Sequence, residues 1–72
     1  MRFVFTRHAR ERCRQRGIRL QHVRSVITSP DHIRLTASGA IEAVKKVGVK
    51  RLAVLFQVQK DIRTVITAYY ED

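Results

Sequence analysis

From Ile41 to Tyr70 the apolar residues fall into three alternating runs broken by two short turns, a pattern that restricts the second half of the chain to an antiparallel meander. The strands are predicted at Ile41–Val47, Arg51–Gln59 and Ile62–Tyr70, with turns at Gly48-Val49 and Lys60-Asp61. Alternation along the middle strand puts Leu52, Val54, Phe56 and Val58 on one face, and Arg51, Ala53, Leu55, Gln57 and Gln59 on the other. In the last strand it sets Arg63, Val65, Thr67 and Tyr69 against Thr64, Ile66, Ala68 and Tyr70. The apolar face of the middle strand needs a cover. The more polar face is expected to stay open to a ligand.

The cover comes from the residues before Pro30. Thr6 caps a helix starting near Arg7, and Gly17 stands where a glycine ends one. Ala9, Cys13 and Arg16 share one side of that helix, with Arg12 beside them, so its apolar stripe is narrow. A second helix is predicted from Leu20 to Thr28, burying Leu20, Val23, Val26 and Ile27, although Arg19 and Leu20 are poor caps. Ser29-Pro30 closes it, and His32 to Thr36 reads as a short strand or an extended connection. The expected fold is α+β: two N-terminal helices packed on one face of a three- to four-stranded antiparallel sheet. Seventy-two residues make one domain, residues 1–72, whose core is thin. Phe3-Val4-Phe5 alternates briefly before the charged Arg7 and His8. No apolar run approaches the ~18 residues of a membrane span. The single cysteine, Cys13, precludes an internal disulfide, and a cytoplasmic protein is expected.

Charge is unevenly placed. Residues 1–34 carry nine arginines against Glu11 and Asp31, a net of +7, whereas residues 35–72 contribute +2 to the total of +9. Arginine's planar fork binds phosphate or carboxylate bidentately, while lysine acts as a point charge. A basic run is often no more than a solvated face. Here Arg10 and Arg14 stand four apart on a predicted helix, where like charges repel, and Glu11 alone relieves the arginines between Arg7 and Arg24. An anionic partner, RNA above all, accounts for that density.

The segment His8-Ala9 … Arg12 … Arg16-Gly17-Ile18 … Val23 … Ile27 … Pro30 resembles a small prokaryotic domain-of-unknown-function family grouped with BrnT-like toxins in the RelE/ParE superfamily. Val44-Lys45-Lys46-Val47-Gly48 … Arg51-Leu52 … Val54 and Val65-Ile66-Thr67-Ala68-Tyr69 match the same pattern, which departs at Arg19, where a serine-like cap is common. The resemblance implies a RelE-like fold with function on the exposed sheet face. It also implies cleavage of messenger RNA, often on the ribosome, or gyrase poisoning, under the restraint of an antitoxin.

Metal-free RNA cleavage needs a base for the 2′-hydroxyl proton, cations for the pentavalent phosphate and an acid for the leaving 5′-oxygen. His8, Arg12, Lys46, Arg51 and Tyr69 are the candidate catalytic set, with His8 and Arg12 one helical turn apart. Arg7, Arg10, Arg14, Arg16, Lys45 and Lys50 are the candidate RNA contacts. Each has a plainer reading. His8 can hydrogen-bond near a helix start, Arg12 and Arg16 can lay their stems over the core and pair with Glu71 and Asp72, Lys46 and Arg51 can be merely solvated beside a turn, and Tyr69 can be a packed strand residue. His8, Cys13, His22 and His32 lack zinc-site spacing, so no metal or other cofactor is expected, and Cys13 reads as a small buried hydrophobe. Three functions compete: a toxin-like ribonuclease, a non-catalytic polyanion-binding module, and a domain regulated by an acidic partner such as an antitoxin. A homodimer paired through the last strand is a further expectation.

Overall fold

A computed structural model describes residues 1–71. The elements are β1 (Arg2–Phe5), α1 (Arg7–Gln15), α2 (Leu20–Thr28), β2 (His32–Leu35), β3 (Ile41–Val47), β4 (Lys50–Gln59) and β5 (Ile62–Glu71). The five strands form one mixed sheet in the order β1-β5-β4-β3-β2. The expected three- to four-stranded antiparallel sheet behind two leading helices is therefore incorrect. A strand comes first, and it pairs parallel with β5, from Arg2 opposite Ile62 to Phe5 opposite Val65. β1 has only four residues, and its partner lies about sixty positions away, so no local alternation or turn announces the pairing. Phe3 and Phe5 pack against the core.

α1 begins as its cap residue dictates. The Ala9 amide donates to Thr6 Oγ1 at 3.0 Å, and the helix stops before Gly17, whose φ of 67° is reached without steric cost only by glycine. α2 has no side-chain cap bond, as its Arg19 start foretells. Both helices lie on one face of the sheet. Ala9 and Cys13 of α1, with Val23, Val26 and Ile27 of α2, join Ile18, Ala43, Leu52, Val54, Phe56, Val65 and Ala68 in the core. Burial pushes the Cys13 thiol's pKa up, against the pull of Arg16, so it packs as an inert hydrophobe. No helix among the described residues is long and apolar enough to cross a membrane.

β5 departs from the alternation predicted for it. Phe56 pairs with Val65 but Leu55 pairs with Thr67, leaving Ile66 as the extra residue of a bulge. Val65, Ala68 and Tyr70 consequently face the helices, while Thr64, Thr67, Tyr69 and Glu71 face the uncovered side. β1 covers β5 only along Ile62–Val65, and no strand among the described residues pairs with that side of the rest of β5.

Candidate functional site

The register of the uncovered face arranges its side chains in rows. Lys46, Arg51 and Glu71 form one row, and His32, Val44, Ala53 and Tyr69 the next. Arg34, Glu42, Leu55 and Thr67 form the third. Lys46 and Arg51 are directly opposed and exposed, and neither is in an ion pair among the described residues. Like charges set opposite one another in a sheet repel, which is a cost to folding. The Lys46 backbone is held by the Asp31 carboxylate, whose Oδ2 accepts from its amide at 2.9 Å.

Beside this cationic pair lies a polar network that straddles β4. The Tyr69 hydroxyl donates to Glu42 Oε2 at 2.5 Å. Glu42 Oε1 accepts from Arg34 Nε at 3.0 Å and also from Arg34 Nη2, which stands 4.0 Å from Glu71. The hydroxyl of Tyr69, more than the guanidinium of Arg34, holds the Glu42 carboxyl below its ordinary pKa. Donating that bond to the Glu42 carboxylate, with burial and the charges of Glu42 and Glu71, pushes the Tyr69 phenol above its ordinary value. Bonding to Glu42 likewise raises the Arg34 pKa. Glu42 is thus a fixed carboxylate with both oxygens engaged, and Tyr69 keeps its proton. Neither is arranged as a free base. His32, exposed on β2 and diagonal in register to both Glu42 and Lys46, is the histidine of this face and forms no ion pair among the described residues.

The candidate catalytic set divides between the two sides of the molecule. Lys46, Arg51 and Tyr69 come together on the uncovered face, whereas His8 and Arg12 lie on α1 in the helical layer. The latter two do converge on each other, Arg12 Nε donating to His8 Nε2 at 3.4 Å, and Arg12 also reaches Gln15 Oε1 at 3.2 Å. The sheet thus separates His8 and Arg12 from Lys46, Arg51 and Tyr69. His32, Arg34 and Glu42 went unrecognised in the sequence. Glu42, the sole acid between Asp31 and Asp61 and set within an alternating strand, was the available signal.

The candidate RNA contacts divide as well. Arg7, Arg10 and Arg14 rim a groove of about 420 Å³ on the helical layer, floored by Cys13, Ile18 and Leu20, with Glu11 as its one acid. Arg10 also lies 5.7 Å from the Phe5 ring centre, with Arg24 at 5.4 Å. Arg16 donates to the Ala68 carbonyl at 2.8 Å, on the stretch of β5 that β1 does not reach, and forms no ion pair with Glu71; the expected partner Asp72 lies outside the described residues. Lys50 rests over the Tyr70 ring at 5.1 Å, and Lys45, opposite Leu52, shares the helix-facing side rather than that of Lys46. None of the arginines from Arg7 to Arg24 is in an ion pair among the described residues.

The model of the family described as Domain of unknown function (DUF4258) matches residues 5–70. No curated protein and no solved structure matches the chain.

Proposed function

The chain belongs to that family of unknown function, and from this premise we propose that it is a toxin-like endoribonuclease that cleaves RNA without a metal on its uncovered sheet face. One observation carries the reading: Lys46 and Arg51 are opposed on an exposed face beside His32, and neither forms an ion pair among the described residues, although Glu71 stands opposite Arg51 in register. A pair of cations kept together at a cost to folding is suited to a phosphate, which relieves their repulsion. In the reaction the 2′-oxygen attacks phosphorus as His32 takes its proton, and the P–O5′ bond breaks. The leaving oxygen receives a proton from solvent or from the imidazolium. Lys46 and Arg51 bear the charge that builds on the phosphate. Tyr69, fixed by Glu42, offers its ring to an unpaired base. The resemblance of the Lys46 and Arg51 segment to BrnT-like toxins supports the same assignment, with messenger RNA on the ribosome as substrate and the cytoplasm as its place of action.

The test is cleavage of labelled RNA and of messenger on translating ribosomes. Lys46→Ala, Arg51→Ala and His32→Ala should each lose activity at unchanged circular dichroism, and His8→Ala should retain it. Intact RNA in both assays overturns the enzymatic reading and leaves a polyanion-binding module.

A second reading concerns the helical groove. Three unpaired arginines above an apolar floor suit an acidic protein segment with an apolar anchor, such as an antitoxin. A stable acidic partner that protects Arg7, Arg10 and Arg14 from exchange or modification would support it. A partner displaced by Lys46→Glu alone would contradict it.

A further inference from the structure

At the far end of the uncovered face from Arg51, Ser38, Gly39, Gln57, Val58, Gln59 and Thr64 line a shallow pocket of about 260 Å³. No charged residue lines it, although charged residues make up 29% of the chain. The turn that forms one wall is well tied. Thr36 Oγ1 donates to the Ala40 carbonyl at 2.9 Å, the Gly39 amide donates to the Thr36 carbonyl at 3.1 Å, and the Thr36 and Ser38 hydroxyls are 3.0 Å apart. Gln57 stands opposite Thr64 in the β4–β5 register, and Gln59 follows on the same face. The side chains of Gln57, Gln59 and Thr64 form no hydrogen bond within the described residues, so two carboxamides and a hydroxyl are free to bind.

We propose that this pocket is a nucleobase subsite, the element that gives the RNA site its base preference. The inference rests on the proposed RNA reading and deepens it. A phosphate would choose cations, and the pocket has none. An apolar ligand would find little to hold it, because Val58 alternates to the face opposite Gln57 and Gln59. A base edge, by contrast, presents a donor and an acceptor side by side, the arrangement a carboxamide matches in bidentate fashion. Six residues of extended strand separate Arg51 from Gln57, about 20 Å at ~3.3 Å per residue. A few nucleotides of single strand bridge that distance over Leu55 and Thr67, with the scissile phosphate at one end and the base that is read at the other.

Uncharged nucleosides test the pocket apart from the cations. Adenosine, guanosine, cytidine and uridine are titrated separately into ¹⁵N-labelled protein. At least one should shift the side-chain amides of Gln57 and Gln59 and the backbone amides of Ser38, Gly39 and Thr64. The double variant Gln57→Ala/Gln59→Ala should lower its affinity at least tenfold while the remaining spectrum is kept. In the cleavage assay that variant should flatten the base preference at the cut site, whereas Lys46→Ala should depress cutting at every site alike. Shifts confined to other faces, or an affinity or base preference unchanged in the double variant, overturn the subsite and leave the ribonuclease reading intact. Nucleoside binding at these residues by a protein that neither binds nor cuts RNA overturns the ribonuclease reading and retains the pocket as a nucleoside site.

Discussion

The Tyr69 hydroxyl reaches over β4 to Glu42 Oε2 at 2.5 Å, joining β5 to β3 across the strand between them. Ala53, opposite Tyr69 in register, and Val44, opposite Ala53, are 0% and 1% exposed although they lie on the side away from the helices. The crossing explains how residues on an uncovered face come to be buried: the small Ala53 lets the tyrosine lie across it. Tyr69→Phe should therefore keep the ring and lose the strap. One hydrogen bond to a charged acceptor is removed at a partly exposed site, so unfolding free energy should fall by about 1 kcal/mol, read from urea denaturation. In a Tyr70→Phe background the remaining phenol should ionise above the ordinary value of 10.0, and Glu42→Gln should bring it back down.

The same pair sets a pH window. Glu42 has a depressed pKa in the fold, so its contribution is present above the unfolded carboxyl value of ~4.3 and is lost as pH falls through the folded value. Tyr69 has a raised one, so its contribution is present below ~10 and is lost as pH climbs through the folded value. The stability difference between the wild-type chain and Glu42→Gln should be greatest from about pH 5 to 9 and should shrink at both ends. Paired urea titrations across pH measure it, and a difference that grows toward acid would contradict the network.

Lys46 separates stability from activity. It faces Arg51 directly, so Lys46→Glu exchanges a repulsive cross-strand pair for an attractive one. The variant should be more stable by roughly 0.5 kcal/mol, and it should lose RNA cleavage and RNA binding on the sheet face. If denaturation instead shows it clearly destabilised, Lys46 is a structural residue and the charge pair is no sign of function.

Local signals sufficed wherever the determinants were local. The Thr6 cap, the Gly17 stop, α2 from Leu20 to Thr28 and the strand from Ile41 to Val47 all follow from neighbours within a few residues. β1 was missed because its four residues are specified by Ile62–Val65, and the bulge at Ile66 because an extra residue in one strand is visible only against its partner. The site suffered from both. Without the bulge, Tyr69 would share a face with Val65 toward the core, and its partnership with Glu42 could not be read. Arginine density was legible as charge but not as direction. The sheet puts Arg7, Arg10 and Arg14 on one side of the molecule and Lys46 and Arg51 on the other.

That division makes RNA length the sharpest probe of the charges. A hexanucleotide laid along β4 can touch Lys46 and Arg51 without meeting the helical groove, whereas a thirty-nucleotide strand can wrap to both. Each phosphate neutralised on a single strand contributes about −0.7 to the slope of log K against log salt. For the hexanucleotide, Lys46→Ala/Arg51→Ala should flatten the slope by about 1.4, and Arg7→Gln/Arg10→Gln/Arg14→Gln should leave it nearly unchanged. For the long strand the triple variant should flatten it by about 2, from a wild-type value near −3.5 or steeper. Fluorescence anisotropy at several salt concentrations gives both numbers. A triple variant that weakens the hexanucleotide as much as the double variant does would move the RNA site to the helices, and with it the chemistry assigned to the sheet.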